Sequence, residues 1–201
     1  RFCSAHNTSI FEQPLSQPVF RNGRRFNSMI DMEKQTHYTL LQVDQPQAVE
    51  AYLRERAWLD HGESVQQLSP AGEGNMNLTL RVTTGSRTFV VKQSRPWVEK
   101  YPSIAAPEDR VLMEAKFYQS VSHFGEIAER MPRLLGCDEQ NFVALLEDLG
   151  ETADFTDLYN DGLASFAPLH ELCQWLAALH GAEFDLETRQ CLENVEMRKL
   201  N

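Results

Sequence analysis

Cysteine is scarce and scattered in this sequence: Cys3, Cys137, Cys173 and Cys191 are the four among 201 residues. No two stand at the close spacing of a zinc site, and such wide separations fit reduced, partly buried thiols of a cytoplasmic protein. Basic residues are in the minority, 19 against 29 acidic ones, for a formal net charge of −10. Gripping a phosphate backbone calls for a concentrated basic surface, so no nucleic-acid partner is expected. No apolar run approaches the ~20 residues that cross a bilayer as a helix, so no membrane partner is expected either. Internal repeats and low-complexity tracts are lacking too. What is present, 42% hydrophobic and 24% charged residues, is the make-up of a globular domain. The length suits one domain, or one domain and part of a second.

The first residues differ from the rest. Arg1 to Ser28 holds Arg1, Arg21, Arg24 and Arg25 against one acid, Glu12, and has no periodic apolar pattern. It lacks the apolar core of a secretory signal, and Pro14 and Pro18 spoil the amphipathic helix of an organelle transit peptide. The chain begins with Arg1, and Met29 or Met32 would serve as a start. Residues 1–31 are therefore expected to be a leader outside the folded protein.

Periodicity then marks out elements. Asp44 can cap a helix whose first turn takes Pro46, whose one face carries Val49, Tyr52 and Leu53, and which Gly62 stops. The period changes to two at Met76, Leu78, Leu80 and Val82, with Asn77, Thr79, Arg81 and Thr83 on the other face. A turn at Thr84-Gly85-Ser86 leads into Thr88 to Lys92, so residues 76–92 read as a hairpin. A loop through Pro96, Pro102 and Pro107 follows. Then comes a helix over Glu108 to about Val121, with acids in its first turn to suit the dipole. Leu134 to Asp138 and Phe142 to Glu147 read as two strands joined at Glu139-Gln140-Asn141. After Asp148, Leu169, Leu172, Cys173, Leu176 and Leu179 repeat at helical spacing up to Gly181. The order predicts a mixed small lobe, residues 32–148, leading into a helical one, residues 149–201.

Four features along this order carry chemistry. Gly72-Glu73-Gly74-Asn75-Met76-Asn77 is a glycine-rich turn of the kind that lets backbone close over phosphates, although Gly-x-Gly turns are common in ordinary hairpins. Phe89-Val90-Val91-Lys92 ends a buried strand on a lysine. Such a lysine is usually a solvated edge charge, but it is also what holds nucleotide phosphates in a kinase. A cation in a partly buried cleft needs a carboxylate. Glu114, in the apolar stretch Leu112-Met113-Glu114-Ala115, can supply it; Glu108 and Asp109 sit where the helix dipole alone explains them. Finally, Ala144-Leu145-Leu146-Glu147-Asp148-Leu149-Gly150 is an apolar strand ending in acids and a glycine, placed as the hinge between lobes would be.

Taken in order, these motifs resemble the small lobe of the aminoglycoside phosphotransferase and choline kinase superfamily. The run from Lys92 through Gln93 and Pro96 to Val98 adds to the likeness, which spans roughly residues 38–200. The resemblance implies an α+β, protein-kinase-like fold: an antiparallel-sheet small lobe plus the first helices of a truncated helical lobe. It implies ATP with Mg2+ and phosphoryl transfer to a hydroxyl of a small-molecule acceptor. It also implies that Gly72, Glu73, Gly74, Asn75, Met76 and Asn77 cover the phosphates, Lys92 holds them, Glu114 pairs with Lys92, and Glu147, Asp148 and Leu149 hold adenine. In that superfamily the catalytic aspartate lies in a His-Gly-Asp loop. Here His180-Gly181 is followed by Ala182 and reads as a helix end, so the catalytic aspartate and the magnesium ligands are expected after Asn201. A sugar, aminoglycoside or choline-type kinase and a non-catalytic nucleotide-binding protein are the alternative readings, and an oligomer is left open.

Overall fold

The computed structural model describes residues 37–72, 74–151 and 166–199; the expected leader and Glu73 lie outside them. Helix α1 (Pro46–Glu55) buries Val49, Tyr52 and Leu53, the face its periodicity predicts. Its ends differ from expectation. Gln45, not Asp44, occupies the N-cap, without a side-chain cap bond. The helix also stops before Gly62: Ala57 turns left-handed at φ 55, and the Trp58 amide reaches back to the Leu53 carbonyl at 2.9 Å. The physical reason is packing, since this early turn lays the Trp58 ring against Gly136, where an added Cβ would meet it at 2.7 Å.

Strands β1 (Val65–Pro70), β2 (Leu78–Thr84), β3 (Thr88–Gln93), β6 (Leu134–Asp138) and β7 (Val143–Glu147) form one five-stranded sheet. Its order is β1-β2-β3-β7-β6, with every pairing antiparallel. The expected hairpin is present, with its first strand starting at Leu78 rather than Met76. Asn77, expected on the open face, is instead buried ahead of the strand. A further short hairpin, β4 (Trp97–Val98) and β5 (Tyr101–Ala105), stands where a loop was expected. Pro102 is tolerated in it because a two-strand ribbon leaves one edge without a ladder to complete.

The two sheet faces differ. Leu80, Val82, Phe89, Val91, Val143 and Leu145 share one face and pack with Leu41, Val49, Tyr52, Leu53 and Leu59 into the main core. Removing one such buried leucine side chain costs about 2–5 kcal/mol. Gln93 falls on the same face and is fully buried, yet fully bonded. Its amide accepts from the Leu41 N–H at 2.9 Å and donates to the carbonyls of Thr39 at 2.7 Å and Asn141 at 3.0 Å. It therefore stitches residues 39–41 to the sheet in place of a strand partner.

Helix α2 (Arg110–Val121) covers one end of the opposite face, with Val111 and Ala115 against Ala144. Glu108 and Asp109, expected in its first turn, precede it. Helix α3 (Gly125–Ala128) then leads to β6. Later in the chain come α4 (Phe166–Gly181), α5 (Leu186–Cys191) and α6 (Val195–Arg198). Trp175 of α4 donates its indole N–H to the Ile127 carbonyl at 3.1 Å, which ties this helix to α3. Of the predicted stripe, Leu169, Leu172 and Leu179 are half-buried while Cys173 and Leu176 are exposed. Cys137, Cys173 and Cys191 are free thiols. No helix among the described residues is long and apolar enough to cross a membrane.

Candidate functional site

Register places the site residues before any side chain is considered. Across β2, β3 and β7, Thr79 stands opposite Lys92 and Lys92 opposite Ala144, while Arg81 stands opposite Val90 and Val90 opposite Leu146. These six share the face that the main core leaves open. Lys92 thus sits beside the base of the glycine turn, and Val90 with Leu146 makes an apolar floor between it and the end of β7 at Glu147.

Helix α2 brings the carboxylate. Lys92 Nζ donates to Glu114 Oε1 at 2.7 Å, with about a quarter of each side chain exposed. The pair is neither solvated at the rim nor sealed inside. With one Nζ bond made to Glu114, the lysine still has donors to spare for an anion.

The turn is shaped by two glycines for different reasons. Gly72 holds φ +74, a conformation that side chains strain. At Gly74 a Cβ would meet the Asn77 carbonyl oxygen at 2.7 Å, so the backbone doubles back on itself there. The turn's carbonyls are engaged by the β4–β5 hairpin, whose amides at Glu99 and Lys100 donate to Met76 O at 3.3 Å and Asn75 O at 3.0 Å. Carbonyl oxygens repel phosphate, and these two are occupied by protein donors.

The acids at the end of β7 are each held by an arginine, Glu147 at the surface and Asp148 in a more buried position. Arg133 holds Glu147 with two bonds of 3.0 and 3.1 Å, and this keeps the Glu147 carboxyl below its ordinary range. The Glu147 amide donates to Arg133 O at 2.9 Å. Arg81 reaches across from β2 to Asp148 at 2.8 Å and to the Gly150 carbonyl at 2.8 Å. Burial raises the Asp148 carboxyl, but the Gly150 amide and Arg81 outweigh it and hold it below the usual value. Leu149 is exposed.

Lys92 and Glu114 are therefore brought into contact, with the described part of the turn beside them. Glu147, Asp148 and Leu149, expected as a hinge, lie at the far end of the same strand pair. Glu73 is outside the described residues. Two residues escaped the sequence reading, Arg81 and Arg110. The guanidinium of Arg110 is buried at the start of α2 and donates to four backbone carbonyls, among them those of Pro107 at 2.7 Å and Trp97 at 3.0 Å. The other two are Arg95 and Met76. Arginine on a helix, or on the strand face away from the core, reads as solvated.

Lys92, with one of its three donors on Glu114, keeps donors of the kind a phosphate oxygen takes. Among the described residues no three His, Cys, Asp or Glu side chains cluster as a metal-binding group.

A mixed α/β fold whose five-stranded antiparallel sheet carries a helix-paired lysine is compatible with the small lobe of a kinase. Comparison with known proteins points the same way. Over 108 residues the chain is 30% identical to a methylthioribose kinase of Erwinia tasmaniensis, a match covering 51% of this chain and 26% of that protein. The chain thus spans about a quarter of the length of the curated relative it matches. No known family profile matches the chain. The similarity suggests a kinase-type phosphotransferase.

Proposed function

We propose that this chain forms the nucleotide-binding part of a small-molecule kinase, one that moves a phosphoryl group from ATP to a hydroxyl of its acceptor. Residues 32–148 would be its small lobe and residues 149–201 the start of a helical lobe. Methylthioribose is the acceptor that the relative's name gives, and a ribose-like alcohol is the acceptor class proposed here. The observation that carries the reading is the Lys92–Glu114 contact at 2.7 Å on the open face of the sheet.

Each residue has a stated task. Backbone amides of the Gly72–Asn77 turn cover the phosphates, and Lys92 neutralises their charge while Glu114 keeps the ammonium from drifting. Val90 and Leu146 lie under the adenine plane, and the hinge backbone at Asp148 and Leu149 offers its hydrogen-bonding edge. The Glu147 amide is already bonded to Arg133. ATP, when bound with its magnesium, supplies the activated phosphoryl group. This chain's share is positioning and charge neutralisation, which dominate catalysis of phosphoryl transfer.

Titration of the purified chain with Mg-ADP by calorimetry tests the reading. Binding is expected, and Lys92→Ala should weaken it at least about tenfold, the loss of a charge-assisted bond of ~1.5–3 kcal/mol, while the melting temperature stays within a few degrees. Equal affinity in a folded Lys92→Ala protein would remove Lys92 from the site.

A further inference from the structure

Position N1 of a helix is a poor place for a buried cation. The helix dipole is positive there, and desolvation adds to the penalty. Arg110 occupies that position in α2 with only 6% of its surface exposed, and burial pushes its pKa down to about 10. What holds it is backbone. Nη1 donates to the carbonyls of Arg95 and Pro107, and Nη2 donates to those of Met76 and Trp97.

The segments so joined matter. Met76 belongs to the glycine turn, and its carbonyl also takes the Glu99 amide. Arg95 and Trp97 lie on the chain leaving β3, three and five residues after Lys92. Glu114 follows Arg110 by four residues, one turn along the same face of α2, and grips Lys92. One helix therefore holds the turn by its first residue and the lysine by its fifth. An apolar contact would serve as a structural staple with less desolvation; a planar guanidinium with two forked ends fixes direction as well as distance.

We propose that Arg110 is a positioning residue that couples the glycine turn to the Lys92–Glu114 pair through α2, so that the two halves of the site move as one body; the role in nucleotide binding rests on the function proposed above. A lysine cannot replace it, because a single ammonium cannot reach four carbonyls on two sides.

The test follows amide hydrogen exchange of the wild-type chain, Arg110→Lys, Glu114→Gln and the double variant, alongside Mg-ADP affinity. Arg110→Lys should speed exchange of the Glu99 and Lys100 amides, which bond the carbonyls of the turn, about tenfold more than that of β2 and β3, a local opening rather than a global one. Glu114→Gln leaves Arg110 in place and should speed exchange of the same two amides, because the helix that carries both is loosened. Each single variant should weaken Mg-ADP binding about fivefold to tenfold, and the double variant by less than the product of the two. Should Arg110→Lys fail to fold, the response of those amides to Glu114→Gln decides alone. Unchanged exchange of those amides in Glu114→Gln, uniform acceleration across the sheet in Arg110→Lys, or simple additivity overturns the coupling. If those amides respond as stated but no variant, nor the wild type, binds Mg-ADP, the coupling stands and the nucleotide reading falls.

Discussion

Asp138 offers a perturbation whose size can be worked out. Its carboxylate closes β6 and anchors α1: Tyr52 Oη donates to Oδ2 at 2.8 Å, the Asn141 amide donates to the same oxygen at 2.9 Å, and Arg56 Nε does so as well. Oδ1 accepts the backbone amides of Gln140 at 3.0 Å and Asn141 at 3.2 Å. Burial raises this carboxyl, and the bonds from Arg56, Tyr52 and Asn141 more than reverse that, bringing it from the ordinary 3.8 to about 2. The difference corresponds to about 2 kcal/mol of stability at neutral pH, at ~1.4 kcal/mol per tenfold. Its sign follows from the depression. The unfolded chain binds the proton more readily, so the contribution is complete well above pH 4, about half gone near pH 3 and lost as the pH falls through 2. Asp138→Asn keeps the shape but turns an N–H2 toward three donors. Urea unfolding followed by circular dichroism should show the variant less stable by about 2 kcal/mol or more at pH 7. That gap should narrow toward pH 3. A gap that is absent at pH 7, or one that stays constant from pH 7 to pH 3, would refute the reasoning.

Other substitutions probe packing and the turn. Gly136→Ala drives a methyl into the Trp58 ring at 2.7–3.1 Å. It should cost about 1–3 kcal/mol and shift the tryptophan emission of the folded state. Gly74→Ala sets a Cβ at 2.7 Å from the Asn77 carbonyl, a backbone atom that cannot swing aside. The expected outcome is weaker Mg-ADP binding in calorimetry by about tenfold, with unfolding of the sheet unchanged.

How much of this was legible depended on which signal each residue leaves. Leu80, Val82, Phe89 and Val91 announce β2 and β3 because alternation has a period of two and one face is sealed. The hairpin from Trp97 to Ala105 leaves no such trace: its first strand is two residues long and its second contains Pro102. Strand β1 is silent for a related reason, since Gln66 and Gln67 sit side by side exposed at a bulge on the sheet edge. The Lys92–Glu114 pair was readable from residue type and order, one helix after one strand. Arg81 was not, because its partner Asp148 lies 67 residues away, and Arg110 was not, because the farthest of its partners, Met76, lies 34 residues away and all four are backbone carbonyls. Backbone carbonyls also carry no sequence signature. Helix ends misled where tertiary packing chose them: Trp58 needed the chain to turn at Ala57, so Gly62 was left for the turn before β1.

The alternation along β2 and β3 has a consequence for how this protein can change over generations. Even-numbered residues of β2 face the sealed side and odd-numbered ones the open side, with the parity reversed on β3. A substitution at Leu80 or Val91 is judged by whether the chain still folds. One at Thr79, Arg81 or Lys92, a single residue away, is judged by what the open face can still hold. Two kinds of constraint are interleaved along the same few strands, so the open face can change at alternate positions without disturbing the residues of the main core.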